Sequence, residues 1–273
     1  MNPHPLAAVS RPHTDAWDAG DDYEAFMGRW SRPIAAEFVR WLDIAAGGVW
    51  LDVGCGTGPL STAVCQFAAP LSVTGVDASS AYVEHAADLH LCDVAGFEVA
   101  DAAALPFDDG IFDVAVSGLL LNFLPDPVAS LREQSRVVSS WGTVAAYVWD
   151  YAAGMRLLRH FWDAARATVP SAVAFDEAVR FRSASPAALT RAFEAAGLDA
   201  IETTAIEVEG TYRTFAELWA PFLSAQGPAP GFVAGLDVPT RTALQAAFEE
   251  RLPIGSDGRI TLSARAWAAR GRV

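Results

Sequence analysis

The stretch VWLDVGCGTGPL, residues 49–60, places three alternating glycines between an apolar run and a proline. Val49–Val53 does not alternate apolar with polar residues, which predicts a strand buried on both faces of a parallel sheet. Pro59–Phe67 repeats its apolar residues at helical spacing. Glycine favours neither element, so its repetition at this junction indicates that something comes closer to the backbone than a side chain would allow.

Short apolar runs and helical patterns continue to alternate along the chain. Further strands are predicted over residues 71–76, 97–100, 111–117 and 143–149, with a turn over 139–142. Helices are predicted over 33–44, with Ser31 as cap and Pro33 in the first turn, over 79–90, and over 128–138, with Asp126 as cap and Pro127 at the first helical position. This βαβ succession predicts parallel strands joined by right-handed crossovers, and hence a doubly wound α/β sheet. In such sheets, ligands bind at the carboxyl ends of the strands.

Composition excludes several classes of protein. The net charge is −14, which opposes binding to phosphate backbones. All 19 basic residues are arginine, and this excludes a P-loop lysine, a Schiff-base lysine and a lysine general base. The longest apolar runs are shorter than the ~20 residues that span a bilayer, and residues 1–16 lack the pattern of a secretory signal. Cys55, Cys65 and Cys92 form no CxxC pair and no even disulfide set, so we expect a reducing, cytoplasmic setting.

Carboxylates stand at the ends of the predicted strands. Asp52 ends the first strand, and Asp77 ends the second, about 20 residues past the glycines, where a carboxylate accepts hydrogen bonds from both hydroxyls of a ribose. Asp77 has the alternative role of a helix cap, although Ser79 makes that cap redundant. Asp101 ends the third strand, with an ordinary loop aspartate as the alternative.

The spacing of the glycines selects among nucleotide-binding loops. The dinucleotide fingerprint G-x-G-x-x-G would need glycine at position 59, which is proline here. The observed D-x-G-x-G-x-G resembles the first motif of class I S-adenosylmethionine-dependent methyltransferases, and FEVADAAALPF (97–107) and FDVAVSGLLLNF (112–123) resemble later motifs of that family. Three further stretches look like the bacterial small-molecule group similar to ubiquinone/menaquinone C-methyltransferases: YEAFMGRWSRPIA (23–35), YVWDYAAGMRLLRHFW (147–162) and ITLSARAWAARG (260–271).

The resemblance implies a seven-stranded, mostly parallel Rossmann-like sheet with helical lid insertions. One methyltransferase domain then spans 1–273, with an arm and lid over 1–32, a cofactor-binding core over 33–150, the rest of the core with a helical lid over 151–258, and a last strand and tail over 259–273. The chain from 151 onward contributes predicted helices over 154–168, 186–196 (Ser185 as cap) and 214–253, and strands over 201–208 and 258–266.

The resemblance also implies that S-adenosyl-L-methionine is the cofactor and S-adenosyl-L-homocysteine its product. By matching position, the cofactor is expected to contact the residues of the glycine loop, which are Asp52, Gly54, Cys55 and Gly56. Its ribose would contact Asp77 and Ala78, its adenine Asp101 and Ala102, and its sulfonium Ser117. Its methionine moiety would contact Tyr23, Met27, Arg29 and Trp30. Arg29 would pair with the cofactor carboxylate, or alternatively with Asp52 or a helix end.

A general base is needed only if the methyl acceptor must lose a proton. Asp150, Tyr151 and His160 are the candidates near the expected cleft, and an ordinary helix position is the alternative for His160. No His, Cys and carboxylate cluster has the spacing of a metal site. The fourth strand is followed by Ser-Gly-Leu-Leu and not by the Asn/Asp-Pro-Pro-aromatic tetrad of DNA amino-methylating enzymes, and no Pro-Cys nucleophile is present.

A small-molecule acceptor is therefore expected, and not nucleic acid. Aromatic residues concentrate in the presumed lid, where they either form a pocket for a flat apolar metabolite or pack the lid onto the sheet: Trp149, Tyr151, Phe161, Trp162, Trp219 and Phe222. Two other functions stay open, an NAD(P)-dependent oxidoreductase of the same architecture and a protein that binds the cofactor without catalysis. The methyl acceptor, the methylated atom and the oligomeric state are not determined by these patterns.

Overall fold

A seven-stranded sheet in the order β3-β2-β1-β4-β5-β7-β6 organises the computed structural model, which describes residues 20–181, 184–224 and 227–273. Its strands are β1 Val49–Val53, β2 Ser72–Asp77, β3 Ala95–Val99, β4 Phe112–Gly118, β5 Val138–Trp149, β6 Asp199–Tyr212 and β7 Ile260–Arg272. Strands β1 to β5 pair in parallel, and β7 runs antiparallel to both β5 and β6. The predicted doubly wound, mostly parallel sheet is confirmed.

Helices cover both faces of this sheet and its carboxyl edge. They are α1 Gly20–Leu42, α2 Pro59–Phe67, α3 Ser80–Asp88, α4 Pro127–Val137, α5 Arg156–Thr168, α6 Glu177–Arg180, α7 Pro186–Ala195, α8 Phe215–Trp219, α9 Pro228–Ala234 and α10 Val238–Glu249, with short 3-10 turns at Pro170–Ala174 and Ala220–Leu223. Three predicted caps are confirmed, since the side chains of Ser79, Asp126 and Ser185 accept hydrogen bonds from backbone amides in the first turns of α3, α4 and α7.

The first helix is longer than predicted. Ser31 is not its cap but lies fully buried within α1, and Pro33 stands in the helix interior. The apolar face formed by Phe26, Met27 and Trp30 is buried against the rest of the protein, and this tertiary burial outweighs the local stop signals. The prediction that the helix begins at residue 33 was therefore wrong.

Strand β5 also extends further than the pattern indicated. Residues 139–142 were predicted as a turn, whereas they form an out-of-register bulge inside the strand, between the pairs Phe112↔Val138 and Val114↔Thr143. Trp141 has a φ of 70° at this bulge, and its amide donates to the carbonyl of Val273. The amide of Val273, directly after β7, donates in turn to the carbonyl of Gly142, so these two hydrogen bonds hold the segment beside the end of β7.

Most of the aromatic residues of the lid pack against one another. Phe161 stacks on Phe222, with ring centroids 4.7 Å apart, and meets Phe248 edge-on at 5.6 Å. The ring of Trp219 also stacks on that of Phe222, with ring centroids 5.6 Å apart. The four buried members of this group belong to the same hydrophobic core as the apolar residues of the sheet: Phe161, Trp162, Trp219 and Phe222.

The cysteines differ from their predicted state. Cys65 of α2 and Cys92, which precedes β3, form a disulfide with Cα atoms 6.3 Å apart. Cys55 is the free cysteine of the described chain and is buried. The expectation of three unpaired cysteines was wrong, and the argument that it supplied for a reducing compartment no longer holds.

The described part of the chain contains neither a candidate membrane span nor a candidate metal site. None of the helices in residues 20–181, 184–224 and 227–273 is long and apolar enough to cross a membrane. The same ranges contain no group of three or more His, Cys, Asp and Glu side chains arranged to hold a metal ion.

Candidate active site

The glycine loop connects the buried end of β1 to the start of α2. Gly54 and Gly56 have φ angles of 73° and 53°, a region that side chains disfavour. The amides of Gly54 and Cys55 both donate to the carbonyl of Val76, at 2.7 and 2.9 Å, and this fixes the loop against β2. A Cβ on Gly54 would lie 2.8 Å from Leu120, whereas a Cβ on Gly56 would meet nothing within 4 Å. The loop is therefore packed on one side and open on the other.

The open side of the loop faces a cavity of about 360 Å³. The cavity lies at the carboxyl ends of β1, β2, β4 and β5, where the strand order reverses between β1 and β4. This is the place at which doubly wound sheets bind ligands. Eight of the predicted site residues line it: Met27, Asp52, Gly54, Cys55, Gly56, Asp77, Ala78 and Tyr151.

Asp77 both braces the glycine loop and faces the cavity. Its Oδ2 accepts a hydrogen bond from the amide of Gly56 at 3.0 Å, and its Oδ1 accepts one from the amide of Ser79 at 2.9 Å. The helix cap itself is supplied by Ser79, whose Oγ accepts from the amide of Tyr82. Each carboxylate oxygen can accept more than one hydrogen bond, so capacity remains toward the cavity.

Asp52 is a fully buried carboxyl group on the cavity wall. The hydroxyl of Ser61 donates to its Oδ2 at 2.7 Å, and among the described residues Oδ1 has no hydrogen-bond partner. Burial raises the pKa of Asp52 to about 7, and the nearby charge of Asp77 acts in the same direction. A buried carboxylate with an unsatisfied oxygen is stabilised by a cation, so this wall fits a positively charged ligand group.

Cys55 lines the same wall as a thiol. Burial, followed by the charges of Asp52 and Asp77, raises the pKa of this thiol far above its ordinary value. The nucleophile of cysteine chemistry is the thiolate, so Cys55 packs the loop and does not attack a substrate.

Two residues of the predicted methionine site lie elsewhere. Arg29 donates to the carbonyl of Thr211 and to the carboxylate of Glu217, and its guanidinium stacks over Tyr212. Trp30 is fully buried against Tyr212. Neither side chain lines the cavity, because β6 and α8 provide their partners, and these lie far from Arg29 and Trp30 in the sequence. The side chain of Tyr23 lies outside the described part of the chain.

Two of the three candidate bases are also away from the cavity. Asp150 accepts a hydrogen bond from the amide of Ala153 at 3.1 Å and pairs with Arg265 at 3.4 Å, which makes it a structural residue of the turn after β5. His160 lies on α5 outside the cavity wall, and burial together with the charge of Arg156 lowers its pKa. Tyr151 does line the cavity, with its ring 5.3 Å from that of Phe181.

The remaining predicted residues lie near the carboxyl edge without contributing to the cavity wall. Asp101 follows β3 and accepts a hydrogen bond from the amide of Ala103 at 2.8 Å; neither it nor Ala102 lines the cavity. Ser117 is buried in β4, and Gly118 after it forms part of the wall.

Several cavity residues were not singled out from the sequence. Leu119, Leu120 and Phe123 follow β4, Tyr147 lies on β5, and Phe26, Tyr82, Leu158 and Glu177 complete much of the wall. Trp149 and Tyr151 were among the aromatic residues considered for a pocket, and both line it. Glu177 had no distinguishing signal, because acidic residues in a segment such as FDEAVRF are usually exposed.

The segment that carries the loop defines a class. Residues 51–146, which contain the D-x-G-x-G-x-G loop at the switch point of the sheet, match a family model described as "Methyltransferase domain", so this segment of the chain carries a methyltransferase domain.

Individual relatives refine this class. The 2-methyl-6-phytyl-1,4-hydroquinone methyltransferase of Synechocystis is 33% identical over 146 residues, which cover 48% of this chain and 46% of that protein. The demethylmenaquinone methyltransferase of Roseiflexus castenholzii is 36% identical over 95 residues, 35% of this chain and 40% of that protein. The chain thus matches less than half the length of each relative.

A solved structure shares the fold. The phosphoethanolamine N-methyltransferase 2 of Haemonchus contortus, in complex with S-adenosyl-L-methionine, superposes with a TM-score of 0.59 at 15% identity, over 96% of this chain and 58% of that one. At this identity, the likeness concerns the fold alone.

Proposed function

We propose that the protein transfers the methyl group of S-adenosyl-L-methionine to a small, largely apolar acceptor molecule. The observation that carries this proposal is one cavity whose wall combines the glycine loop, Asp52 and Asp77 with aromatic side chains. We assign the loop and the two carboxylates to a cofactor end, which fits a cationic nucleoside, and the aromatic side chains to an acceptor end, which fits a flat organic molecule.

The residues of the cofactor end each match a part of the cofactor. The open space over Gly56 leaves room for a ligand against bare backbone, and Asp77 provides carboxylate oxygens for ribose hydroxyls. The unsatisfied Oδ1 of Asp52 suits a cationic group. When bound, the cofactor supplies a methyl group on a positively charged sulfur, which is already electrophilic. Asp101, Ala102 and Ser117 remain part of this proposal as residues toward the adenine and the sulfonium.

The second end suits an aromatic acceptor. Phe123, Tyr147, Trp149, Tyr151 and Leu158 present rings and an aliphatic side chain to the cavity. Such a wall excludes water and holds a flat molecule in one orientation, and alignment of this kind contributes roughly 7–11 kcal/mol to a transfer reaction. The names of the two relatives, which specify a hydroquinone and a demethylmenaquinone, support an acceptor related to quinones. We include the segment 151–258 in the proposal as the lid over this end.

A nucleic-acid acceptor is not part of the proposal. The net charge of −14 repels phosphate backbones, and the whole cavity has a volume of about 360 Å³. That size and composition are typical of sites for small organic molecules.

Binding and turnover together test the proposal. Calorimetry with S-adenosylhomocysteine and, separately, with NAD should show binding of the first alone. Incubation with methyl-labelled S-adenosylmethionine and a set of hydroquinones and phenols should then transfer label to at least one of them. Binding of NAD in preference to S-adenosylhomocysteine would refute the proposal in favour of an oxidoreductase. Cofactor binding with no labelled product from any metabolite extract would favour a protein that binds the cofactor without catalysis.

A further inference from the structure

Glu177 is a buried carboxyl group that none of the preceding roles uses. It begins the short helix α6, its residue is only 3% exposed, and its side chain forms part of the cavity wall. The indole N–H of Trp162 donates to its Oε2. The neighbouring Asp176 is directed away from it, into ion pairs with Arg159 and Arg166. Glu177 therefore faces the cavity while the acidic residue beside it is neutralised elsewhere.

The surroundings of Glu177 leave its charge poorly compensated. Burial raises the pKa of Glu177 to about 7, and the charge of Asp176 acts in the same direction. Hydrogen bonds from its own backbone and from the indole of Trp162, together with the charge of Arg159, act to lower it. The ionisable groups that line the cavity are Asp52, Cys55, Asp77, Tyr82, Tyr147, Tyr151 and Glu177 itself, with no arginine among the described wall residues. A buried carboxylate without a cation is costly unless donors satisfy it. The protein supplies two such donors, the indole of Trp162 and the backbone of Glu177 itself, and a ligand in the cavity can supply another.

The rest of the wall determines what kind of donor fits. The cavity that Glu177 lines has largely apolar residues in its wall, among them Tyr151, Leu158 and Pro228 of α9. A ligand against these residues thus meets mainly apolar surface, with the carboxylate of Glu177, which only accepts hydrogen bonds when ionised, and the hydroxyl of Tyr151 as polar groups. A flat apolar molecule with a hydroxyl group fits this pattern better than the same molecule with an ether, because an ether cannot donate a hydrogen bond.

We propose that Glu177 recognises a phenolic hydroxyl of the methyl acceptor by accepting a hydrogen bond from it. This inference rests on the proposed function and names the chemical group that the acceptor end of the cavity selects. Glu177 is a specificity-determining residue in this scheme. The acceptor then binds as the phenol or hydroquinone and not as the fully alkylated ether.

A pair of matched probes tests the assignment. Binding of 1-naphthol and of 1-methoxynaphthalene is measured by equilibrium dialysis at pH 8, with S-adenosylhomocysteine saturating. A hydrogen bond to a charged group corresponds to about tenfold or more in affinity, so the wild-type protein should prefer the naphthol by about tenfold. Glu177→Leu should abolish the preference and Glu177→Gln should reduce it to a few-fold, since the amide oxygen is an uncharged acceptor.

Two controls separate this inference from the proposed function. Glu249→Gln removes an exposed carboxylate of α10 outside the cavity and should keep the full preference. Calorimetry with S-adenosylhomocysteine should give the same affinity for the wild type and all variants, which shows that each is folded with an intact cofactor end. If the wild type binds S-adenosylhomocysteine but binds neither probe, binds both equally, or keeps its preference in Glu177→Leu, the assignment of Glu177 is overturned while the proposed function stands. If S-adenosylhomocysteine itself does not bind, the proposed function fails first.

Discussion

Replacing Asp77 by alanine removes the carboxylate on which the cofactor end of the cavity depends. In the structure this carboxylate accepts hydrogen bonds from the amides of Gly56 and Ser79, at 3.0 and 2.9 Å. The proposed ribose contact adds two more donors, each contributing about 1.5–3 kcal/mol to a charged acceptor. We therefore expect Asp77→Ala to weaken binding of S-adenosylhomocysteine by about 3–6 kcal/mol, roughly a factor of 10² to 10⁴.

The two internal hydrogen bonds affect the free protein as well. Their loss loosens the glycine loop, so the thermal midpoint without ligand should fall in Asp77→Ala, and less in Asp77→Asn, which keeps one acceptor oxygen. Calorimetry with S-adenosylhomocysteine at a temperature where each variant is folded separates the two effects. Asp93→Ala, which removes an exposed carboxylate before β3, serves as the control and should bind normally. A dissociation constant for folded Asp77→Ala within about twofold of the wild-type value would refute the assignment of the ribose to this residue.

Three further predictions concern the loop, the cavity wall and the lid. Gly56→Val places a side chain in the open space of the cavity and at a φ of 53°, so binding of S-adenosylhomocysteine should be lost in calorimetry; retained binding would contradict the loop assignment. The pKa of Asp52 is raised from 3.8 to about 7, so between these pH values the folded protein holds a proton that the unfolded chain has released. The contribution of Asp52 to the free energy of unfolding should therefore fall as pH rises through this range and then level off. Urea unfolding of Asp52→Asn should show a smaller fall over that range, and an unchanged pH profile would count against a raised pKa. Phe161→Ala removes a buried ring that stacks on Phe222, so the free energy of unfolding measured with urea should fall by about 3–5 kcal/mol. A decrease below about 1 kcal/mol would show that these aromatic rings contribute little to the stability of the fold.

The central half of the sheet was predictable because its signals are local. Val49–Val53, Pro59–Phe67 and the cap at Asp126 each depend on residues that are neighbours in sequence. The glycine loop and Asp77 could likewise be placed in one site, since strand ends of a parallel sheet share an edge.

The residues that were wrongly placed have partners far away along the chain. Arg29 is held by Thr211 and Glu217, and Asp150 is held by Arg265, and no pattern around Arg29 or Asp150 reveals such contacts. Their charges are satisfied by residues more than 100 positions away.

The position of Glu177 was missed for a related reason. Its burial results from the packing of α5 and α6 and from the indole of Trp162. Burial of a carboxyl group is rare enough that composition alone argues against it. Sequence patterns therefore predicted the residues of the glycine loop and Asp77 better than the part of the cavity wall that follows β5 along the chain.

The place of β7 in the sheet has a consequence for synthesis of the protein. This strand is made last among the seven, yet it lies between β5 and β6 and pairs with both. While the ribosome still holds residues 260–272, β5 lacks its antiparallel neighbour and β6 has no strand of the described sheet to join. Closure of this half of the molecule must then wait until residues 260–272 have left the ribosome, and a ribosome stalled a few codons before Ile260 would present an open edge at β5 to chaperones.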